Sequence, residues 1–452
     1  MYTAAKRAVK AVVPEPTWTR FYERNYWLLR PLIIDRCPVM PPWAATRSKE
    51  SPIDILHRIA TGSFGGRQYS SRRIFITIIA CAVWPARILL LAGEELRRHG
   101  KAVRRQYGVG LIAQLAGMLR IALTSNLAPL SYYRFRLFRP ENASRAHEYL
   151  QGEELDELHE ALTGTLPSLE PLDDKELFFQ HGRAHGLPVV PIVASFDPVQ
   201  GERWYDDRCV PQCDLIVKPA HELCGRGVTR WTWCAETFTW SRGATTLGET
   251  ALIDSCRTAG RSKKVLLQRC VRNHSALAAL APGGLATLRV VTYRRPSGEA
   301  GLIMCALRMP TNGQPVDNFA AGGIAAPVDA TGVMLAAVAK DPDPGTFPRH
   351  PDSGAPIAGI GIPHFGEAIG LALRAHAAFP WVPTVGWDVV ITPEGPALLE
   401  ANPGWCFELA QIAPDRPLGA TPYPDVFLEH LAAQSGSRDV ASADRLSGAP
   451  AM

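Results

Sequence analysis

The sequence predicts an α+β fold preceded by a mainly helical region. Apolar residues recur at helical spacing over much of 74–150, whereas short β-rich runs alternate with helical segments from about residue 173 onward. With 452 residues, the chain is too long for one ordinary core. We therefore expect a basic, mainly helical region over 1–150, an α+β domain over 151–432 and a disordered tail over 433–452.

Charge is distributed unevenly along the chain. Residues 1–147 hold 24 Lys and Arg against 8 Asp and Glu, and the remainder holds 24 against 35. A basic N-terminal third could face an anionic membrane or a nucleic acid, and solvated arginine-rich helix faces explain it equally well. We expect no nucleic-acid partner and leave contact with an anionic membrane open. The ten cysteines include no CxxC pair, which favours reduced cytosolic thiols.

The most apolar stretch of the N-terminal region is Ile74–Ala92. Pro85 and Arg87 interrupt it and leave eleven residues before them, fewer than the ~20 that span a bilayer. It could be a buried core helix, an interfacial membrane helix or a span. Beyond it, Leu111–Leu123 and Glu153–Leu162 are predicted helices.

Seven β-rich runs, most of them bounded by Gly or Pro, predict the strands of the α+β domain. One further segment, Phe365–Ala378, has helical periodicity and ends before Pro380. The predicted strands are Leu187–Ala194, Asp214–Pro219, Lys264–Val271, Leu288–Arg294, Leu302–Met309, Gly386–Thr392 and Ala397–Asn402.

The last two predicted strands flank the turn sequence Pro393-Glu394-Gly395 and predict a β-hairpin. Asp388 and Glu400 each lie six residues from Glu394, so a turn centred there would place them opposite each other. Asn402 follows Glu400 by two residues and falls on the same face. Two carboxylates and an amide oxygen at one place suit Mg²⁺, whereas an exposed polar hairpin face is the structural alternative.

A second motif is the predicted strand that ends at Lys218 and leads into a loop with Gly225 and Gly227. Glycines let backbone N–H groups approach phosphate oxygens closely, and the lysine supplies a point charge. The loop is not a Walker A sequence. Taken alone, it fits a phosphate site or a plain hairpin loop.

Together these motifs resemble the ATP-grasp superfamily, and in particular its sugar-transfer-associated branch. The resemblance runs from about Asp173 to Gln411 and includes VLLQRCV, TLRVVTYR, DNFAAGGI, HPDSGAPIAG and VGWD in order. It implies an ATP-grasp fold, in which two α+β lobes clasp a nucleotide. Arg226, within the glycine loop, departs from what a loop lying flat on phosphates would need.

The resemblance also implies the roles of individual residues. It places Lys218, Gly225 and Gly227 on the phosphates of ATP and gives Mg²⁺ to Asp388, Glu400 and Asn402. The adenine hinge would be Gln268, Arg269, Cys270 and Val271. Arg289 would stabilise charge on the transferring phosphoryl group. Substrate contacts are expected, more weakly, from Asn273, His274, Asp317 and Asn318, for which polar turns and helix caps are the structural alternatives.

The function implied is an ATP- and Mg²⁺-dependent ligase that activates a carboxylate as an acyl phosphate for attack by an amine or hydroxyl. The name of the branch suggests polysaccharide or glycoconjugate biosynthesis. Two alternatives are a kinase of the same fold and a membrane-associated accessory protein that binds ATP without turnover. We expect a cytoplasmic protein and leave open a peripheral position at the inner face of the cytoplasmic membrane.

Overall fold

A computed structural model describes residues 51–63, 71–163, 168–205, 208–221, 227–314, 316–341 and 345–434. The described residues form two compact units. One draws on the described residues of 51–163, on 341 and on 406–431, and the other on the described residues of 168–340, 345–405 and 432–434. The first unit thus includes residues 406–431, which the sequence analysis assigns to the α+β domain of 151–432. The boundaries at 150 and 432 stay a prediction.

The first unit is helical where it is described, as expected of the N-terminal region. The predicted helices at 111–123 and 153–162 are confirmed with slightly wider bounds. The helix through the apolar stretch continues past Pro85, which the sequence analysis treated as an interruption. The helices described in the first unit are α1 (Pro52–Ser63), α2 (Ser71–Tyr107), α3 (Leu111–Ser125), α4 (Pro129–Arg134), α5 (Pro140–Ala143), α6 (Gly152–Thr163) and α12 (Phe407–Ile412), followed by a helix over 423–434.

In the part of the chain that the structure describes, no single helix is both long and apolar enough to cross a bilayer. One bent pair, Trp84–Tyr107 with Leu111–Ser125 at 117°, meets the length and composition criteria jointly. The predicted tail lies outside the described residues beyond 434.

The second unit contains two antiparallel seven-stranded sheets, which confirms the α+β class. The first has the order β2-β1-β7-β3-β4-β5-β6 and the second the order β12-β11-β10-β9-β8-β13-β14. The strands of the first sheet are β1 (Ile192–Asp197), β2 (Gly201–Trp204), β3 (Leu215–Pro219), β4 (Thr229–Cys234), β5 (Thr239–Arg242), β6 (Thr245–Leu247) and β7 (Val265–Arg269). Those of the second are β8 (Thr287–Arg294), β9 (Ala300–Met309), β10 (Ile324–Pro327), β11 (Ala337–Ala339), β12 (Thr346–Phe347), β13 (Thr384–Thr392) and β14 (Gly395–Asn402).

Each sheet packs against helices of its own unit. The first sheet buries Phe196, Trp231 and Leu267 with Leu252 of α9 (Glu249–Gly260). The second buries Trp387 and its neighbours with α11 (Phe365–Ala377). Three shorter helices belong to the same unit: α7 (Glu170–Asp173), α8 (Lys175–Ala184) and α10 (Ser275–Ala278).

One predicted strand, Leu187–Ala194, is divided between the two sheets. Pro191 lacks the N–H that a continuous ladder needs. Before it, Val190 donates a backbone hydrogen bond to Leu398 of β14, and after it Ile192 begins β1 in the other sheet. The chain therefore ties the two sheets together at this point.

Candidate functional site

The hairpin of β13 and β14 brings the predicted metal ligands together. Asp388 lies directly opposite Glu400, as predicted, but the turn is not centred on Glu394. Thr392 pairs with Gly395 across a two-residue turn, and a bulge after Asp388 leaves Leu399 without a partner in the ladder. The extra residue restores the opposition of Asp388 and Glu400.

Asn402 completes the group on this face of the hairpin. Its Nδ2 donates to Asp388 Oδ2 over 3.3 Å, and Glu400 lies close enough to influence the ionisation of Asp388. Asp388 is fully buried, whereas the Glu400 side chain is 31% exposed. The group is thus anchored at Asp388 and accessible at Glu400.

Two arginines on neighbouring strands hold Asp388. Arg289, opposite Asp388 on β8, donates from Nε to Oδ1 over 2.6 Å and from Nη2 to Oδ2 over 3.2 Å. Arg308 on β9 places Nη2 at 2.9 Å from Asp388 Oδ2 and 3.4 Å from Asp317 Oδ1. A bidentate guanidinium fixes the orientation of the carboxylate.

The arginines also decide the ionisation of Asp388. Burial alone would raise the pKa of this carboxyl, but the charges of Arg289 and Arg308 and the hydrogen bonds outweigh burial and lower it. Burial raises the pKa of Asp317 instead, since Arg308 offsets burial only in part and the neighbouring Asp388 charge adds to it. Asp388 is therefore the carboxylate kept ionised.

A pair of lysines faces the exposed side of the hairpin. Lys175, at the start of α8, places Nζ at 3.4 Å from Glu400 Oε2. Lys218, in β3, is buried and lines the same small cavity as Lys175, Gln268 and Leu399. Burial lowers the pKa of Lys218 to about 8, the nearby charge of Glu400 partly opposes this, and that of Lys175 adds to it.

Three acidic side chains, those of Asp317, Asp388 and Glu400, thus lie among four basic ones, those of Lys175, Lys218, Arg289 and Arg308. An excess of cations suits a polyphosphate. Within the described residues, no group of three or more His, Cys, Asp or Glu is arranged to hold a metal ion. Two carboxylates and an amide, however, supply the hard oxygens that Mg²⁺ takes alongside waters and phosphates, so Asp388, Glu400 and Asn402 fit this ion.

The glycine loop is described only at its end. Gly225 lies outside the described residues. Gly227 has a positive φ of 71°, and a Cβ there would lie 3.0 Å from Cγ of Pro219, the residue after Lys218. Close approach of the loop to the end of β3 therefore requires glycine at 227.

The predicted hinge begins in the last two residues of β7 and continues beyond it toward the second sheet. Gln268 is buried and donates to Val190 O over 3.2 Å, whereas Arg269 is exposed. The backbone N–H of Cys270 bonds to Asp214, and that of His274 bonds to Ile391 of β13. The segment that crosses between the sheets thus begins with Gln268, Arg269, Cys270 and Val271, of which Gln268 lines the cavity that also contains Lys175 and Lys218.

The weaker substrate candidates make mainly structural contacts. Asn273 exchanges two hydrogen bonds with the backbone of Ala286, and His274 caps α10 by accepting from Ala276 N. Asn318 accepts from Ala320 N in a local turn. Asp317 differs, because it accepts from the backbone of Thr287 over 2.9 Å and contacts Arg308. Only Asp317 joins the Asp388 group.

A lysine-centred network, absent from the sequence analysis, supports the start of α8. Lys264 places Nζ at 2.9 Å from Asp174 Oδ2 and from Glu176 Oε2, and at 3.8 Å from Asp197 Oδ2. Asp174 in turn caps α8 by accepting from Glu176 N and Leu177 N. Lys175 lies between the two buried carboxylates and points to Glu400, so the network holds the helix end that presents Lys175.

Residues 167–421 match the family described as sugar-transfer associated ATP-grasp. No curated protein matches the chain significantly.

Several solved structures are similar to part of the chain. The D-alanine–D-alanine ligase of Bacillus anthracis in complex with ATP is 12% identical, with 59% of this chain and 68% of that chain covered and a TM-score of 0.35. The N5-carboxyaminoimidazole ribonucleotide synthetase of Thermotoga maritima is 16% identical, with 57% and 49% covered and a TM-score of 0.30. The L-amino acid ligase of Bacillus licheniformis is 11% identical, with 62% and 52% covered and a TM-score of 0.29. The chain spans about half the length of the carboxyaminoimidazole ribonucleotide synthetases that it matches.

Proposed function

Because this chain belongs to the sugar-transfer associated ATP-grasp family, we propose that it is an ATP-dependent ligase that joins a carboxylic acid to an amine or hydroxyl. The opposition of Asp388 and Glu400, with Asn402 beside them and two lysines facing them, carries the proposal. An association with sugar transfer comes from the family description alone, and it is the reason to propose a sugar or glycoconjugate as acceptor or donor.

In the proposed reaction, an oxygen of the acid attacks the γ-phosphorus of ATP, the bond to the β-phosphate oxygen breaks, and ADP leaves. The amine or hydroxyl then attacks the acyl carbon, loses its proton and releases phosphate. Phosphoryl transfer depends on positioning and charge neutralisation more than on covalent chemistry by the enzyme. A bound Mg²⁺ would supply charge neutralisation and a template for phosphate oxygens.

Different side chains of this protein would position the reactants and neutralise charge during phosphoryl transfer. Asp388, Glu400 and Asn402 would hold the metal, and Arg289 and Arg308 keep Asp388 ionised and fixed. Lys175 and Lys218 would take phosphate oxygens at the exposed side of Glu400. The segment from Gln268 to Val271 would contact the adenine through backbone groups. Gly227 would let the glycine loop lie close to the phosphates.

The first experiment is a screen for ADP formation with candidate acids and amino or hydroxyl sugars. We expect ADP release to require the acid, the acceptor and Mg²⁺ together. Hydroxylamine in place of the acceptor should trap the activated acid as a hydroxamate. ADP release with a hydroxyl compound alone, leaving a stable phosphoester, would identify a kinase instead. Nucleotide binding without turnover under all conditions would identify an accessory protein.

The metal assignment is best tested at Glu400. Replacing Asp388 would leave two buried guanidiniums without their carboxylate, so loss of activity could reflect unfolding. Glu400→Gln changes a half-buried group, and we expect kcat to fall on the order of 10²–10³-fold with an unchanged melting temperature. Glu394→Gln, in the exposed turn of the same hairpin, is the matched control. Equal ADP production by both variants would exclude Glu400 from the metal site.

A further inference from the structure

The helix α2 carries an exposed stripe that is apolar over one half and basic over the other. Side chains at spacings of three and four residues share one face of a helix. On one such face of α2, the exposed residues among those described are Ala82, Pro85, Ala86, Leu89, Leu90 and Gly93, followed by Arg97, Lys101 and Arg104. We call these residues the α2 stripe. Its apolar half extends over about 17 Å at 1.5 Å per residue.

The apolar half of the α2 stripe is not part of the hydrophobic core of the helical unit. The opposite side of α2 already packs through Trp84 and Ile88 against Ala122 of α3. Leu89 and Leu90 remain 55% and 69% exposed. Among the described residues, eight large hydrophobic side chains are exposed, and four of them lie on α2 and α3. The exposure is therefore concentrated on this helix pair.

The charge of the helix pair indicates what covers this surface. Residues 71–125 contain nine Lys and Arg against two Glu, a net charge of +7. A second copy of the chain would bring an equally basic surface against it. Residues 1–50 hold nine Lys and Arg against four Asp and Glu and are also basic. Like charges oppose both occupants, whereas an anionic surface complements the stripe.

We propose that the α2 stripe docks this protein on an anionic lipid bilayer, with α2 lying in the plane of the interface. Leu89 and Leu90 enter the boundary between headgroups and acyl chains, and Arg97, Lys101 and Arg104 meet lipid phosphates. An amphipathic helix with adjacent apolar and basic surface binds in this way, by buried apolar area together with attraction to anionic lipids. On the proposed function, such docking would hold the ligase at the bilayer surface.

Vesicle flotation of the full-length protein tests the proposal. We expect binding to vesicles of phosphatidylcholine and phosphatidylglycerol, little binding to phosphatidylcholine alone, and release in 1 M salt, where the screening length falls to about 3 Å. Leu89→Gln/Leu90→Gln should weaken binding by at least about tenfold. The matched control is Val199→Gln/Leu335→Gln, which changes two exposed apolar side chains of the other unit and should bind as the unchanged protein does.

Three outcomes would overturn the proposal. They are no binding to anionic vesicles, equal binding by both double variants, and dissociation of a dimer as the only effect of Leu89→Gln/Leu90→Gln in sedimentation. Peptide-level thiol labelling of Leu89→Cys adds an independent readout. Labelling should be fast without vesicles and slow with anionic ones. Slow labelling without vesicles would mean that protein already covers the stripe and would reject lipid as its occupant.

Discussion

At the scale of single residues, Lys218 shows how burial prepares a cation for use by a ligand. Few water molecules reach its ammonium, so the protonated form is less stable than in solvent, and the pKa falls to about 8. A bound polyphosphate would supply the missing negative charge. The lysine therefore gains more from an anionic ligand than a solvated surface lysine would.

Lys218 gives the proposed enzyme a specific pH dependence. Because its pKa is lowered, the side chain is cationic below about pH 8 and neutral above it, so we expect kcat/KM for ATP to fall as the pH rises through that value. ATP in the site should raise the pKa, so kcat at saturating ATP should fall only at higher pH. Steady-state rates over pH 6 to about 10 measure both profiles.

Lys218→Arg is the control, because a guanidinium stays protonated over this range. We expect the variant to lose the alkaline fall in kcat/KM even if its rate at pH 7 is lower. Identical alkaline limbs in both proteins would mean that another group titrates and that Lys218 does not meet the nucleotide.

Residues such as Arg308 mark a limit of sequence reasoning. Asp388, Glu400 and Asn402 could be placed because one hairpin determines their spacing. Arg308 lies 80 residues before Asp388, and only the pairing of β9, β8 and β13 brings its guanidinium to that carboxylate. The one available signal was a lone charge within the apolar run Leu302–Met309, because a charge in a buried strand needs a partner.

At the scale of elements, the sequence correctly predicts the β13–β14 hairpin and its opposed carboxylates, but it places the turn at the wrong residues. A turn centred on Glu394 predicts that Asp388 and Glu400 lie opposite each other. The observed turn has two residues, and the bulge at Leu399 shifts the strand register by the one residue that this opposition needs. Five of the other twelve strands were located by their apolar runs, namely β1, β3, β7, β8 and β9. The short strands β2, β5, β6, β10, β11 and β12 were not predicted, since two to four residues give no measurable periodicity. Strand β4 has six residues but was also missed, because TRWTWC contains no apolar run.

The start of α8 supplies a prediction about an element. Lys264 has a raised pKa, since the charges and hydrogen bonds of Asp174 and Glu176 outweigh its burial, and the pKa values of both carboxyls are lowered. Lys264→Met removes the cation, so we expect a loss of about 3–5 kcal/mol of stability at pH 7. KM for ATP should rise as well, because α8 presents Lys175. Arg261→Met, at an exposed site before β7, should change neither.

The effect of Lys264→Met should depend on pH in a defined direction. Carboxyls with lowered pKa values stabilise the fold above their unfolded pKa of about 4, and this contribution disappears as they are protonated. The difference in melting temperature between the variant and the unchanged protein should therefore hold from pH 7 to about pH 5 and shrink as the pH falls below about 4, toward the lowered pKa values of the two carboxyls. A constant difference would assign the effect to packing rather than to the charge network.

At the scale of the whole molecule, the candidate site and the α2 stripe belong to different compact units. All the described members of the site fall within residues 165–340 and 345–405, whereas α2 belongs to the helical unit. Catalysis and membrane docking can therefore be altered separately. The Leu89→Gln/Leu90→Gln protein should retain its ADP-forming activity in solution, and Glu400→Gln should retain vesicle binding.

The same division predicts how nucleotide changes thermal unfolding. A ligand stabilises the unit that binds it, by about 2.7 kcal/mol at 100 times its Kd, which for a unit of this size corresponds to roughly 5–10 °C. We expect calorimetry to resolve two transitions, with Mg-ATP raising only that of the two-sheet unit. Removing Mg²⁺ with EDTA or replacing Glu400 by Gln should abolish most of the shift, whereas Glu394→Gln should preserve it. A shift confined to the helical unit would place nucleotide binding outside the hairpin and refute the site.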